Sequence, residues 1–180
     1  MSFNNRSLIL KNKYTLKFDE FYFKCSIGKK GLTLNKIEGD KKTPKGIFKL
    51  GGLFYRKDRV KKPYTALKCN PITKNMGWCN NVFDTKNYNK LINIKKVSKY
   101  EKLFRRDYKY DYLIPIQYNT KKRKIGKGSA IFIHLTKDYK GTAGCIALKK
   151  KDFLILLKLI KKNSNIKINF FLFPKILVPI

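Results

Sequence analysis

The sequence predicts a mainly β fold, a β-rich α+β arrangement, with one α-helix close to the carboxyl end. Short runs of alternating apolar and polar residues, separated by turn-forming residues, recur early in the chain and again over residues 112–135. Apolar residues then take up helical spacing over residues 153–160. The chain has 180 residues, of which 43% are hydrophobic, so we expect a single domain over residues 1–180 with a real core.

The amino-terminal part is predicted to form a β-meander. Its strands are expected at residues 7–10, 14–18 and 21–27. The segment Thr43-Pro44-Lys45-Gly46, further along the chain, has the composition of an ordinary turn. Over residues 51–109 short apolar pieces are scattered among Lys, Asn and Tyr, which is typical of functional loops.

The later elements are two strands, a helix and a last strand. Residues 112–118 and 129–135 alternate, and the basic turn between them favours a hairpin. The helix should bury one face, formed by Phe153, Leu156, Leu157 and Ile160. A buried strand is expected over residues 166–173, and the apolar tail 174–180 should pack on the sheet or touch a membrane surface.

One histidine and one cysteine are the residues best suited to chemistry. His134, the only histidine, lies in an apolar strand-like run, and Cys145 follows eleven positions later. The turn-forming residues 138–141 let the chain return beside that strand. We therefore expect the two side chains to face each other.

A thiol and an imidazole so placed suggest a nucleophile and its base. Because a neighbouring imidazole raises the thiolate fraction, His134 is expected to lower the pKa of the Cys145 thiol. Gly144 permits a positive φ that can point backbone N–H groups at a developing oxyanion. Spacing alone leaves open that Cys145 is a buried free thiol and His134 a core histidine.

Four ordered segments resemble one enzyme family. His134 followed by Thr142-Ala143-Gly144-Cys145 resembles the His…Ser-His-Gly-Cys signature of the L,D-transpeptidase catalytic domain, or YkuD-like, family. Thr43-Pro44-Lys45-Gly46-Ile47-Phe48 is similar to that family's T-P-x-G-x-F segment. Met76-Gly77-Trp78-Cys79 and Gly128-Ser129-Ala130-Ile131-Phe132 resemble the variant whose active-site motif is T-A-G-C or T-E-G-C.

This resemblance covers residues 28–168 and implies two packed mixed sheets with one late α-helix. It also implies acyl transfer on peptidoglycan stem peptides, without a metal or an organic cofactor. Cys145 would form a thioester, His134 would act as general base and then acid, and N–H groups around Gly144 would hold the oxyanion. A carbonyl or hydroxyl near Thr142 is the first candidate for the group that orients His134, and Asp138 is the second.

The residues expected to bind substrate are Trp78, Tyr88, Arg105 and Ala143. Ala143 and Ala147 stand where many family members carry a histidine and an arginine, so another cation, Arg105 or Arg106, is expected to bind a substrate carboxylate. Tyr88, Asn89 and Glu101 are expected on the rim of the site. Trp78 is either a wall of the substrate groove or a core anchor.

Two other functions remain open from the sequence. An L,D-carboxypeptidase would use the same site with water in place of the acceptor amine. A basic binding module, for nucleic acid or an anionic envelope, would carry a catalytic pair that has lapsed.

The charge balance is strongly basic. The chain has 43 Lys and Arg against 11 Asp and Glu, a formal net charge of +32, which favours a polyanionic partner such as an anionic envelope surface. Codon bias is an equally good explanation, because lysine dominates and Asn, Ile, Phe and Tyr are also abundant. No recognition motif accompanies the lysines, so we expect no specific nucleic-acid binding.

The four cysteines fit a protein whose thiols are mostly reduced. They show no C-x-x-C spacing, and with a single histidine they do not predict a zinc site. No leader is recognised in residues 1–10 and no run of about 20 apolar residues is present, so a soluble protein is expected. We also expect a monomer. The family implies the cell envelope or periplasm, and the cytoplasm is left open.

Overall fold

The structure, a computed structural model, describes residues 7–169 except the side chain of Lys96. Its strands are β1 (Ser7–Asn12), β2 (Thr15–Phe18), β3 (Phe21–Ser26), β4 (Leu32–Thr33), β5 (Thr43–Pro44), β6 (Gly46–Lys49), β7 (Leu53–Tyr55), β8 (Cys69–Pro71), β9 (Met76–Cys79), β10 (Leu91–Asn93), β11 (Tyr100–Lys102), β12 (Tyr112–Pro115), β13 (Phe132–Leu135), β14 (Ile146–Leu148) and β15 (Asn165–Ile168). The helices are a 3-10 turn (Ile94–Lys96) and α1 (Lys150–Leu159). The predicted strand end at 170–173 and the tail at 174–180 lie outside the described residues.

A ten-stranded mixed sheet dominates residues 7–169. Its strand order is β6-β15-β1-β2-β3-β14-β13-β12-β7-β8. Most neighbours are antiparallel, whereas β1 with β15, β13 with β14, and β7 with β8 are parallel. The two halves of the sheet join at β3, and apolar side chains from both halves share one hydrophobic core. The predicted mainly β fold is confirmed, with the two expected sheets present as two halves of one continuous curled sheet.

The amino-terminal meander is confirmed. In β1 and β2 every second side chain is buried, among them Leu8, Leu10, Leu16 and Phe18. This alternation is the period-2 pattern of strands with one face on the core. The loop that follows β3 leads through β4 and β5 to β6, which pairs with β15.

The two central strands that carry the site, β12 and β13, are buried on both faces. They pair antiparallel, as the predicted hairpin requires, with Leu113 opposite His134. The strand expected over residues 129–135 begins only at Phe132. Ala130 has a φ of +51°, which lies outside the extended region and therefore ends the strand on its amino-terminal side.

The interpretation of residues 51–109 as loops is wrong in part. This segment contains β7 to β11, and three of these strands form a separate sheet in the order β10-β9-β11. Each has only three or four residues. A run this short contains too few alternations for its period to be recognised from the sequence.

The late helix is confirmed. Phe153, Leu156 and Leu157 of α1 are buried, and Ile160, directly after the helix, is buried with them. Phe153 stacks on Tyr112 of β12 with 6.0 Å between ring centroids, so α1 covers the core side of the central strands. Within residues 7–169, no helix is both long and apolar enough to cross a membrane.

Candidate active site

His134 and Cys145 are brought together by a parallel pair of strands. Ile133 lies opposite Ile146 and His134 lies opposite Ala147, so Cys145 is level with Phe132. Because side chains alternate along a strand, Cys145 and His134 project from the same face of the sheet. Both line a cavity of about 560 Å³. The two side chains therefore lie on one face of the sheet, and the loop between them crosses over to a parallel strand and forms no hairpin.

The Cys145 thiol is buried and its hydrogen bonds go to the backbone. Its Sγ donates to the Ala130 carbonyl at 3.3 Å and accepts from the Phe132 N–H at 3.3 Å. Burial raises the pKa of Cys145 to about 12. The expected low thiol pKa is thus wrong for the resting protein, because removal from water opposes the thiolate.

His134 is held by a backbone carbonyl of its own strand. Its Nδ1 lies 2.9 Å from the Leu135 oxygen, and since a carbonyl can only accept, Nδ1 carries the proton and Nε2 is left as the basic nitrogen. Tyr110 packs edge-on against the imidazole, with centroids 5.5 Å apart. Leu135 therefore replaces both expected orienting groups, a group near Thr142 and Asp138.

Burial also makes His134 a determinant of stability at low pH. Its pKa falls from 6.5 to about 4, because the buried imidazolium loses its hydration. Below about pH 6.5 His134 becomes protonated in the unfolded chain, whereas in the folded protein it stays neutral until about pH 4. The folded protein therefore loses stability as the pH falls from about 6.5 to about 4.

We expect the free energy of unfolding of the parent protein to fall by about 2 kcal/mol more than that of His134→Gln between pH 7 and pH 5. Urea denaturation of both proteins at each pH measures this difference. The carboxylates titrate in both proteins, so the difference isolates the histidine. Equal losses would contradict the buried neutral imidazole.

The turn before Cys145 is fixed by two threonine hydroxyls. Thr142 Oγ1 donates to the Cys145 carbonyl at 2.6 Å and accepts from the Gly144 N–H at 3.0 Å. Thr43 Oγ1, fully buried, donates to the Gly144 carbonyl at 2.8 Å and accepts from the Gly28 N–H at 2.9 Å. The Thr43 segment, which by composition alone is an ordinary turn, therefore supports the turn before Cys145 from a point far away in the sequence.

Gly144 is required by both conformation and space. Its φ is +143°, and a Cβ at this position would lie 2.9 Å from the Lys42 carbonyl oxygen. The predicted positive φ is therefore present. The Gly144 N–H, however, is already bound by Thr142, so it is not a free donor for an oxyanion.

Charged side chains of both signs surround the cavity. The cations are Lys29, Lys36, Lys41, Arg105, Lys109 and Lys140, and the anions are Glu38, Glu101 and Asp138. Arg105 is held in the site by a two-point ion pair with Asp107, at 2.6 and 2.9 Å, and by Glu101 at 3.2 Å. Arg106 does not line this cavity, whereas Arg105 lines both this cavity and a second one that Arg106 shares.

The remaining predicted substrate residues divide into two groups. Ala143 is exposed and lines the cavity, and Glu101 lies there as expected. Tyr88 is fully buried, so its expected place on the rim is wrong: its hydroxyl donates to Glu38 and accepts from the Gly128 N–H. Trp78 is the core anchor of the two alternatives, because it is buried against Phe132 and does not line this cavity.

Three further residues lie around His134 and Cys145, and of these Tyr110 alone has no recognisable signal in the sequence. Tyr110 packs on both His134 and Phe132, and its hydroxyl donates to Glu101 at 3.0 Å. Ala130 supplies the carbonyl that faces the thiol. Asn89, expected on the rim, is buried beneath Ala130.

Three solved structures are similar to this chain at low sequence identity. A point mutant of the helical cell shape determining protein Pgp2 from Campylobacter jejuni has a TM-score of 0.50 and 19% identity, over 94% of this chain and 49% of that chain. The parent Pgp2 has 0.48 and 20%, over 94% and 52%. Bd1075 from Bdellovibrio bacteriovorus has 0.47 and 15%, over 92% and 48%.

The chain thus spans about half the length of these structures. No curated protein sequence gives a significant match. Residues 5–168 match the family model described as the L,D-transpeptidase catalytic domain. That match includes the meander, the Thr43 segment, the histidine strand and the cysteine turn, and the chain therefore belongs to the L,D-transpeptidase catalytic domain family, YkuD.

Proposed function

We propose that this chain is a cysteine-dependent L,D-transpeptidase that acts on peptidoglycan stem peptides. The observation that carries the proposal is the placement of Cys145 and His134 on one face of paired strands, in one cavity. The hydrogen bond from Nδ1 to Leu135 turns the basic Nε2 away from the backbone, as a general base requires. We also propose that the T-A-G-C motif, Thr142 to Cys145, marks this chain as a variant of the family.

In the first half-reaction the Cys145 sulfur attacks the carbonyl that precedes the terminal D-alanine of a donor tetrapeptide. Because the resting thiol is neutral, its proton passes to His134 Nε2 as the sulfur–carbon bond forms. The tetrahedral intermediate then collapses, and His134 returns the proton to the leaving amine. D-Alanine departs and a thioester remains on Cys145.

In the second half-reaction an amine of another stem peptide attacks the thioester. His134 takes the proton of that amine and delivers it to the departing sulfur, which restores the free thiol. With water as the nucleophile, the same intermediate would give a trimmed tripeptide, the product of an L,D-carboxypeptidase. The two activities therefore share every step up to the thioester.

We assign the oxyanion to the backbone N–H of Cys145 and not to that of Gly144. The Gly144 N–H already donates to Thr142, whereas the Thr142 hydroxyl and the Thr43 hydroxyl fix the turn on either side of the cysteine N–H. One such donor is worth on the order of 3 kcal/mol in other enzymes. Arg105, fixed by Asp107 and Glu101, is our candidate for the substrate carboxylate in place of the arginine absent at Ala147.

Incubation with purified disaccharide-tetrapeptides tests the proposal. We expect a crosslinked dimer and free D-alanine, separated by chromatography and identified by mass. A trimmed tripeptide without dimer would identify the carboxypeptidase. Unchanged substrate would remove the proposed activity and favour a binding module.

The proposed substrate places the working site of the protein at the cell envelope, and the basic surface suits an anionic sacculus. If the +32 charge contributes, binding to isolated sacculi should weaken steeply as salt rises from about 50 to 200 mM, because bound counterions are released. Co-sedimentation measures this directly, with DNA fragments of different sequence as a comparison. Tight, sequence-selective DNA binding that survives the added salt would contradict it.

A further inference from the structure

Asn89 uses its whole side-chain amide inside the protein. It is 3% exposed, and its φ is +54°. Its Oδ1 accepts from the Trp78 indole N–H at 2.8 Å and from the Ala130 N–H at 3.1 Å. Its Nδ2 donates to the carbonyls of Tyr118 and Asn119 at 3.0 and 2.8 Å. A buried amide with all four positions filled is a rigid connection between these segments.

Ala130 is the unusual residue that this amide holds. Its φ of +51° lies in the left-handed region, which is unfavourable for a residue with a Cβ. This conformation turns the Ala130 carbonyl toward Cys145, where it accepts from Sγ at 3.3 Å. Two positions further on, the Phe132 N–H donates to the same sulfur. In the resting protein the thiol thus forms hydrogen bonds with one carbonyl and one N–H of the bent segment 130–132.

We propose that Asn89 is a positioning residue for the nucleophile: by holding Ala130 in the left-handed conformation, it keeps the Ala130 carbonyl against the Cys145 thiol and fixes the direction of the S–H group. The inference rests on the proposed role of Cys145 as the nucleophile. A carbonyl that accepts from S–H stabilises the neutral thiol and opposes the thiolate. Without the amide, the sulfur would ionise more easily, and it would also lose its fixed direction of attack.

The test is the pH profile of Cys145 alkylation by iodoacetamide in Asn89→Gly, followed by peptide mass mapping. Glycine accepts a positive φ, so this change removes the amide without straining the backbone at residue 89. Cys69, half-buried in β8 and outside the cavity that Ala130 and Cys145 line, serves as the reference thiol within the same molecule. We expect the midpoint of Cys145 alkylation to fall by about one pH unit, so that the Cys145 to Cys69 ratio near neutral pH rises about tenfold.

Asn119→Gly is the matched control. Asn119 also has a positive φ, +52°, and its amide also donates to two carbonyls, those of Lys124 and Gly128. It makes no bond to Ala130, so its removal should change the ratio less than about twofold. An unchanged profile in Asn89→Gly, or an equal shift in Asn119→Gly, would overturn the proposal.

Two further measurements separate positioning from a general loss of structure. When Ala130→Gly is added to Asn89→Gly, at least half of the shift in the Cys145 alkylation midpoint should be reversed, because glycine occupies the left-handed region without support. No reversal in the double variant would contradict the proposal. In the parent protein the Ala130 amide should exchange its hydrogen at least about 100-fold more slowly than an open loop amide. If the Ala130 amide exchanged as fast as an open loop amide, the proposed support of Ala130 by Asn89 would be refuted, even if Asn89→Gly did not fold. Because alkylation requires no peptide, inactivity toward stem peptides would leave this test intact.

Discussion

Replacement of Cys145 by alanine is expected to abolish turnover of stem peptides, to at least about a thousandfold below the parent protein. Of the four cysteines, all within the described residues, Cys145 alone lines the cavity, so no other thiol can replace it. Chromatography of substrate and products over an extended incubation measures the loss. Full activity in Cys145→Ala would remove the mechanism.

The controls for this prediction are the other cysteines. Cys25 and Cys79 are buried away from the cavity and Cys69 is half-buried. Their alanine variants should keep most of the activity. A loss in Cys69→Ala as large as that in Cys145→Ala would show that the thiol assignment is wrong.

His134→Gln should lower the rate of product formation by about 10³, because general acid–base catalysis contributes factors of 10² to 10⁴. Glutamine can fill the buried space but cannot carry the proton from the sulfur to the leaving amine. The pH profile of Cys145 alkylation, in contrast, should hardly change. In the resting protein His134 is neutral, with a pKa of about 4, and does not ionise the thiol.

This contrast separates a general base from a preformed ion pair. If His134 and Cys145 formed a thiolate–imidazolium pair at rest, the histidine variant would need a higher pH for alkylation. Measuring both rates in one preparation shows which arrangement is present. Retention of full activity in His134→Gln would make this residue a core histidine.

The elements that could be predicted from the sequence are those with one buried face. Alternation revealed β1 and β2, and helical spacing revealed α1, because each presents a polar side to water. The strands β7 to β11 escaped recognition because they are very short. The start of β13 was misplaced because the left-handed conformation of Ala130 comes from contacts with Asn89, which is distant in sequence.

The sequence identified the two residues of the candidate site, but it did not predict their burial or their protonation states. The spacing of His134 and Cys145 indicates that the two side chains face each other, and in the structure both project from one face of the sheet. Their protonation states depend on how many strands and side chains exclude water from them, which the local sequence does not contain. Tyr88 is expected on the rim, and the sequence leaves Trp78 open between a groove wall and a core anchor, yet both are buried and hold neighbouring segments.

The intact mass of the protein during turnover, with the acyl-enzyme trapped by acid, tests directly whether Cys145 is the nucleophile. We expect an added mass equal to the donor peptide without its terminal D-alanine, located on Cys145 by peptide mapping and released by hydroxylamine, as a thioester requires. Cys145→Ala should show no adduct. Product formation with no adduct, or with the adduct on another residue, would contradict the assignment of Cys145 as the nucleophile.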